Sequence, residues 1–458
     1  MNLIIMRKLF FLPAILFFGL IACNQTLDEA DMFKKISDEV MSNGEAYDIL
    51  YDLTKNIGNR VSGSTGYDKA VEWGAEELRR AGADKVWLQP VIVPAFERGK
   101  ESLKIKIGNQ AWNEVKMLTL GNSIGTDGKD LTAEIIVVNN FDEFEALSEE
   151  EVKGKIILFN YPFDQSFINT LEGYGDAVRY RFATPPVVAQ KGGVAVFIRS
   201  ITTAFDDAPH TGGTSYRGSD IKIPAVALGA ETAQRIADAA KTTKVTATLN
   251  SNAKMNEDHL TYNVIGEITG TKDEQVIVVG GHLDSWDVGE GAHDNGTGVT
   301  QAIEVIRTFK NLNIQPNHTI RAVLFANEEN GGRGGRVYAD TLEAKQEPHV
   351  FALESDLGGF TPRGFNLDLS PEKEKEVRSW LPLFKPYGAA VFNNGSAGVD
   401  VSKMKKHGVE LAGLAPDSQR YFDIHHSESD VFEAVNRREH LLGATVMTQL
   451  IYMVDKYW

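Results

Sequence analysis

The stretch GGHLDSWDVGEGAHDNGTG, from Gly280 to Gly298, follows directly on the apolar run VIVVG and places six charged or titratable residues among glycines. They are His282, Asp284, Asp287, Glu290, His293 and Asp294. A short apolar run bounded by glycine predicts a buried strand. The acidic residues and histidines therefore follow the carboxyl end of a strand, and in open α/β sheets ligands bind at that end.

Similar apolar runs recur later in the chain, as IRAVLFA, HVFALES and VELAGLA. The segment GVTQAIEVIRTFK between the first two runs has helical spacing, and helical spacing returns after Arg333. Strands that alternate with helices in this way predict an α/β fold with a mainly parallel, doubly covered sheet.

Three of the four predicted strands end in acidic residues or histidine. The side chains in question are His282 and Asp284 after the first strand, Glu328 and Glu329 after the second, and Glu354 and Asp356 after the third. Carboxylates held close together raise each other's pKa and oppose folding unless positive charge lies between them. Two histidines and three carboxylates suit a pair of divalent ions, zinc in the first place and cobalt or manganese as alternatives. A solvated acidic loop is the simpler interpretation of any single motif, but several such motifs at successive strand ends favour a metal site.

The remainder of the chain predicts further helices and a second, β-rich region. Residues 28–85 have helical spacing, and a last helix is expected from Asn436 to about Tyr457, with Asn436 and Glu439 spaced as a capping box. Between residues 109 and 255 the apolar runs AEIIVV, GKIILF, GGVAVFI and IPAVAL are separated by polar loops. This pattern of short apolar runs and polar loops predicts an inserted β-rich domain.

The N-terminus has the layout of an export signal, with a short basic region followed by about fourteen apolar residues. Leu20-Ile21-Ala22-Cys23 resembles the lipobox of bacterial lipoproteins. We therefore expect residues 1–22 to be a lipoprotein signal peptide and Cys23 to carry a lipid anchor, which would place an exported bacterial protein in the periplasm or at the outer membrane. A plain secretory signal is the alternative.

Composition excludes one class of partner. The chain of 458 residues has 63 acidic and 47 basic side chains, a formal charge of −16, which opposes binding to nucleic acid. Cys23 is its single cysteine, so no disulfide can form within the chain.

Five motifs, HLDSWD, GAHDNGTG, NEENGG, ESDLGG and HHSESD, resemble in their order and spacing those of the co-catalytic zinc aminopeptidase superfamily. The similarity is strongest to its plasma glutamate carboxypeptidase (carboxypeptidase Q) branch. Segments of the insertion, among them VKGKIILFNY, RYRF and PHTGGTSY, resemble the protease-associated domain of that branch. The resemblance implies a zinc peptidase domain of residues 23–108 and 256–458, interrupted by a protease-associated domain of residues 109–255.

The resemblance also assigns roles to individual residues. It implies two zinc ions, one held by His282, Asp294 and Asp356 and the other by Asp294, Glu329 and His426, so that Asp294 bridges them. Glu328 would be the general base, and the Asp284 carboxylate would orient the ring of His282. His426 is preferred to His425 because it lies four residues before Asp430, as in the family pattern. A cis peptide bond between Asp294 and Asn295 is implied as well.

These roles imply an exopeptidase, and the N-terminal signal implies that it is exported. It would hydrolyse dipeptides or short peptides with a free N-terminus through a metal-bridging hydroxide and Glu328, with Asp400 a candidate for holding the α-amine. The insertion would fold over the strand ends, and a homodimer is one option for the assembly. Two alternatives stay open: a receptor-like or binding member of the same fold without catalysis, and a single-zinc glutaminyl cyclase.

Overall fold

The computed structural model describes residues 29–272 and 274–458. The predicted signal peptide, residues 1–22, and the predicted lipid anchor on Cys23 lie outside the described residues. None of the described helices combines the length and the apolar character that crossing a membrane requires.

The larger core is built on an eight-stranded sheet. Its strands, numbered in chain order and given in their order across the sheet, are β1 (Lys85–Val93), β12 (His259–Ile268), β14 (Thr319–Phe325), β13 (Val276–His282), β15 (His349–Glu354), β18 (Glu410–Pro416), β16 (Pro362–Asp368) and β17 (Val391–Asn394). The four central strands, β14, β13, β15 and β18, are parallel to one another.

The flanks of this sheet correct the prediction of a mainly parallel sheet. Strand β12 pairs antiparallel with both β1 and β14, and β16 pairs antiparallel with β18. The sheet is therefore mixed. Strand β1 lies at its edge with most of its side chains exposed or half-buried, so its apolar pattern is weak. Because this pattern is weak, the antiparallel ribbon of β1 and β12 could not be predicted from the sequence.

Helices cover both faces of the sheet, as predicted. The described helices are α1 (29–43), α2 (Ala46–Asp52), α3 (Thr65–Arg80), α4 (Phe141–Glu145), α5 (Glu149–Val152), α6 (Thr170–Gln190), α7 (Ala230–Ala240), α8 (Thr297–Asn311), α9 (Arg333–Lys345), α10 (Pro371–Ser379), α11 (Leu381–Phe384), α12 (Tyr421–Ile424) and α13 (Arg437–Tyr457). In β13, Ile277 and Val279 pack into a core with α3, α8 and α13, whereas Val276 and Val278 pack into a second core with α9. This alternation is that of a strand buried on both sides.

A second eight-stranded sheet has its own apolar core. Its strands, in order across the sheet, are β4 (Asn113–Val115), β3 (Glu101–Ile107), β10 (Val245–Ser251), β6 (Leu131–Val138), β7 (Ile156–Phe159), β8 (Ala195–Arg199), β9 (Ala225–Leu228) and β5 (Leu118–Thr119). Strands β6 to β9 are parallel. The sheet starts with β3, ahead of the predicted start of the insertion at residue 109. A short pair, β2 (Phe96–Glu97) and β11 (Lys254–Met255), lies where the chain enters and leaves this region.

The last helix, α13, begins after Asn436 as predicted, but only half of the predicted capping box forms. The Asn436 side chain accepts hydrogen bonds from the N–H groups of Arg438 and Glu439. The Glu439 carboxylate accepts instead from the Thr361 hydroxyl, at 2.7 Å. A tertiary partner has therefore replaced the local contact.

Candidate metal centre

The parallel centre of the first sheet brings the predicted site residues to one edge. His282 is the last residue of β13, and Asp356 follows the end of β15. Glu328 and Glu329 follow the end of β14, which lies on the other side of β13. Because neighbouring parallel strands end at the same edge, these side chains converge there.

One cluster forms around His282. Its Nε2 atom lies 2.9 Å from Oδ1 of Asp356 and 3.2 Å from Oδ1 of Asp294. The His282 side chain is 1% exposed. These three residues are close enough together to hold one metal ion.

A second cluster forms around His426 on the other oxygen of Asp294. The Nε2 atom of His426 lies 3.1 Å from Oδ2 of Asp294 and 3.0 Å from Oε2 of Glu329. The neighbouring His425 is also within reach, with Nε2 3.5 Å from the same Asp294 oxygen. Asp294, His425 and His426 likewise form a group that could hold a metal ion. Only His426 of the two histidines also contacts Glu329, which favours it as the ligand.

The main chain at Asp294 is held in place by the carboxylate of Asp430. The N–H groups of His293 and Asp294 donate to the two carboxylate oxygens of Asp430, at 2.7 and 3.1 Å. The Asp294–Asn295 peptide bond is cis, as the resemblance implied.

The structure places Asp284 differently from the expected arrangement. The contact to Nδ1 of His282 is made by the backbone carbonyl of Asp284, at 2.9 Å, while its carboxylate oxygen Oδ1 lies 3.6 Å away. The carboxylate accepts hydrogen bonds from the N–H groups of Glu328 and Glu329, at 3.1 and 3.3 Å. Asp284 thus orients the His282 ring through its main chain and fixes the Glu328–Glu329 turn through its side chain.

The charge distribution of the two clusters fits divalent cations. Burial opposes a charged imidazole, yet the Asp356 carboxylate raises the pKa of His282 well above its usual range, and Glu329 and Asp294 do the same for His426. Burial and the Asp294 carboxylate raise the pKa of Glu329 to about 7. Its Oε1 atom is buried and has no hydrogen-bond partner in the described part of the chain. The clusters therefore favour positive charge at the places where the ring nitrogens meet the carboxylates, and this donor set suits zinc.

Glu328 differs from its neighbour because its carboxylate has no hydrogen-bond or ion-pair partner among residues 29–272 and 274–458. Burial, supported by the nearby carboxylates of Asp356 and Glu329, raises the pKa of Glu328 well above its usual range. A carboxyl group of raised pKa that is free to exchange a proton is suited to general acid–base chemistry.

Arg60 is a residue of the site that the sequence analysis missed. Its fully buried guanidinium donates to the carbonyl oxygens of Leu283, Gly58, Glu290 and Gly291 at 2.8 to 2.9 Å. It thereby ties the turn after His282 to the loop that leads to Asp294. A single arginine in a glycine-containing loop carried no recognisable signal, because all four of these acceptors are main-chain atoms.

A cavity of about 890 Å³ adjoins the metal centre. Its lining includes Glu354 and Asp356, residues between Val391 and Val399, and Ile168, Asn169, Leu171 and Glu172 from the region of the second sheet. Asp400, the candidate for holding the α-amine, does not line this cavity. Its side chain is fully buried, and Oδ1 accepts a hydrogen bond from the Gly335 N–H at 3.1 Å.

Comparison with known proteins gives consistent similarities. The model of peptidase family M28 matches residues 263–450. Carboxypeptidase Q of Xenopus laevis is 34% identical over 429 residues, which cover 93% of this chain and 89% of the relative. Human carboxypeptidase Q is 32% identical over 444 residues, with coverage of 92% and 91%.

Solved structures agree with these relatives. The crystal structure of a peptidase M28 precursor from Shewanella amazonensis matches with a TM-score of 0.88 at 31% identity, and covers 93% of this chain and 96% of the other. BSAP, a zinc aminopeptidase from Bacillus subtilis, matches with a TM-score of 0.66 at 20% identity over 90% of this chain and 95% of the other. The second match supports the shared fold.

Proposed function

Because the chain belongs to peptidase family M28 and is a zinc metallo-exopeptidase, we propose that it is a two-zinc enzyme that removes N-terminal residues from dipeptides and short peptides. The observation that carries this proposal is the position of Asp294, whose two carboxylate oxygens each face a different histidine. A carboxylate shared in this way suits a pair of ions better than a single one.

The proposed ligands divide between the two clusters. His282 and Asp356 would hold one zinc ion, Glu329 and His426 the other, and Asp294 both. When bound, the zinc pair would supply Lewis acidity, which lowers the pKa of a coordinated water and stabilises negative charge on the peptide carbonyl oxygen.

Glu328 performs the proton transfers in this proposal. Its carboxylate would accept a proton from the attacking water and deliver it to the amine that leaves. The Glu328 N–H is fixed by Asp284 at 3.1 Å, so the base is held at its main chain while its carboxylate stays free. No covalent intermediate is required.

The cavity beside the metal centre supports a short substrate. Its lining includes Asp356 and the neighbouring Glu354, which places the cavity directly beside the first proposed zinc ion. The insertion borders the cavity at Ile168 to Glu172, which limits the room for a folded protein. Because segments of residues 109–255 resemble the protease-associated domain, we assign the second sheet to that domain.

A substrate panel tests the proposal. The rate of hydrolysis is measured for a dipeptide, its N-acetylated form and a denatured protein, with Glu328→Gln as the inactive control. We expect the dipeptide alone to be cleaved well, a strong chelator to abolish cleavage and added zinc to restore it. Equal cleavage of the acetylated peptide would contradict the exopeptidase proposal, and binding without hydrolysis would indicate a receptor-like protein.

A further inference from the structure

A segment of the insertion, residues 209–213, contacts both histidines of the second cluster. The Thr211 N–H donates to the His426 carbonyl oxygen at 2.9 Å, and Nδ1 of His426 lies 3.3 Å from the Thr211 carbonyl oxygen. Nδ1 of His210 lies 2.7 Å from the His425 carbonyl oxygen. The insertion therefore contacts the backbone and the ring of the proposed ligand His426.

His426 depends on such contacts because of its conformation. Its φ is 61°, in the left-handed region that residues other than glycine seldom adopt. The Thr211 carbonyl is an acceptor, so it favours the tautomer with the proton on Nδ1 of His426. That tautomer leaves Nε2, which faces Asp294 and Glu329, free to bind a metal.

Arg181 in turn holds the 209–213 segment. Its Nη1 atom donates to the Thr211 carbonyl at 3.3 Å and its Nη2 atom to the Tyr174 hydroxyl at 2.7 Å. Gly212 packs so closely on the guanidinium that an added Cβ would lie 2.3 Å from Cζ of Arg181. The guanidinium and the segment are thus fitted to each other with no space between them.

We infer that Arg181 is a positioning residue of the second zinc site, which acts through the 209–213 segment on His426. This inference rests on the proposed function. It makes the insertion a structural part of the metal centre in addition to a wall of the substrate cavity.

Zinc binding separates this role from a general effect on folding. Bound zinc is measured by elemental analysis at a series of buffered free-zinc concentrations, with His426→Ala as the reference for one remaining site. We expect Arg181→Met to weaken binding of the second zinc by up to about tenfold, the lower end of the usual effect of losing an outer partner of a ligand, because the Thr211 carbonyl itself remains. Binding of the first zinc should be unchanged. Arg181→Lys keeps a donor and should fall between Arg181→Met and the wild type.

The matched control is Arg179→Met, on the same helix, because Arg179 is exposed and bonds Asp176 and Tyr180 instead of the 209–213 segment. It should bind zinc like the wild type. Gly212→Ala displaces the segment without a change of charge and should reproduce the selective loss. Circular dichroism and the melting temperature of the metal-free protein show whether each variant folds.

Wild-type zinc affinities in both Arg181→Met and Gly212→Ala would overturn the inference, and so would an equal weakening of both zinc ions. A wild-type protein that binds fewer than two zinc ions would overturn the proposed function instead.

An independent observation concerns Arg199, at the end of β8 in the second sheet. Its Nη1 atom donates to the amide oxygens of Asn160 and Gln234, at 3.2 and 3.0 Å, beside a cavity of about 480 Å³. Burial alone lowers the pKa of Arg199, and no carboxylate within residues 29–272 and 274–458 forms an ion pair with it. A partly buried cation without a counter-charge is unfavourable unless a ligand supplies one.

The other lining residues of this cavity favour an anion with an apolar body. Lys241 and Lys244 also line it, but each has a carboxylate partner, Asp238 at 2.8 Å and Glu134 at 3.2 Å, so Arg199 is the lining cation that an anion would pair with. Apolar side chains that include Ile136 and Ala237 line it as well. One part of the cavity lies at the carboxyl ends of the parallel strands β7 and β8, where Asn160 and Arg199 line it and where ligands of α/β sheets commonly bind, and the rest runs between β6 and α7. We propose that it binds the carboxylate of a small organic acid or of a peptide C-terminus.

Calorimetry with the zinc-loaded protein tests this site, with N-acetylleucine as the probe and N-acetylleucinamide as its uncharged equivalent. We expect N-acetylleucine to bind, Arg199→Gln to weaken that binding at least about tenfold, and the exposed-site control Arg235→Gln to leave it unchanged. N-acetylleucinamide, the uncharged probe, should bind the wild type no better than it binds Arg199→Gln. Binding that Arg199→Gln leaves unchanged would place the carboxylate elsewhere and overturn the proposal, as would no binding to the wild type.

Discussion

Oδ2 of Asp294 lies 3.1 Å from Nε2 of His426, while the other oxygen of the same carboxylate faces a different histidine. One side chain therefore belongs to two clusters of ligands. The Asp430 carboxylate holds the main chain on which Asp294 is carried, through the N–H groups of His293 and Asp294. The proposed activity depends on this arrangement.

Glu328→Gln should abolish most of the activity without loss of zinc. Glutamine keeps the shape of the side chain but cannot accept the proton, so kcat should fall by about 10² to 10⁴, the usual contribution of general acid–base catalysis. Steady-state kinetics and elemental analysis on the same preparation check both parts. Loss of zinc in this variant would mean that the roles of Glu328 and Glu329 are exchanged.

Asp284→Asn should impair the site through the Glu328–Glu329 turn. The Asp284 carboxylate accepts the N–H groups of both glutamates, whereas an asparagine can accept with one oxygen only and turns a donor towards the other N–H. We expect activity or zinc affinity to fall by about 10- to 100-fold. The exposed Asp258→Asn is the control. Wild-type kinetics and zinc affinity in Asp284→Asn would show that the turn does not need this carboxylate.

The sequence predicted the parallel centre of the fold and a cluster of histidines and carboxylates at its edge, because both leave a repeated pattern. Apolar runs that end in His282, Glu328 and Asp356 marked successive strand ends, and the parallel order of those strands then brings the residues together. The order of the five motifs added the family and, with it, the distinction between His425 and His426.

Contacts made by main-chain atoms left no such pattern. The Arg60 guanidinium binds four carbonyl oxygens, and the Thr211 carbonyl contacts the His426 ring, so no residue type marks the acceptor in either case. The part played by the Asp284 carboxylate could not be read from the chain for the same reason. Edge strand β1 was missed because its exposed face weakens the apolar alternation.

His440 should contribute a loss of stability in mild acid. Burial lowers the pKa of this histidine from 6.5 to about 3, so the unfolded chain binds the proton first as the pH falls. Stability is therefore lost between about pH 6.5 and pH 3, by up to about 1.4 kcal/mol per pH unit from this one group.

Urea unfolding of the metal-free protein at several pH values measures this effect. His440→Gln removes the titration and keeps an amide that can bond Thr300, so its free energy of unfolding should depend less steeply on pH below 6.5 than that of the wild type. Identical slopes in the two proteins would contradict the assignment.

Cys23 should anchor the protein if the lipoprotein prediction holds. In a bacterial host the wild type should fractionate with membranes, whereas Cys23→Ala should not. Mass spectrometry of the mature N-terminus checks the modification directly. An unmodified N-terminus at another residue would favour simple secretion.

Counting bound zinc in four proteins at the same free-zinc concentration shows whether two zinc ions share the carboxylate of Asp294. The wild type should bind two zinc ions per chain, and His282→Ala and His426→Ala one each. Asp294→Ala should bind less zinc per chain than either histidine variant, because it removes a ligand from both clusters. A single zinc ion in the wild type, or an Asp294→Ala protein that binds as much zinc as His282→Ala, would contradict the account.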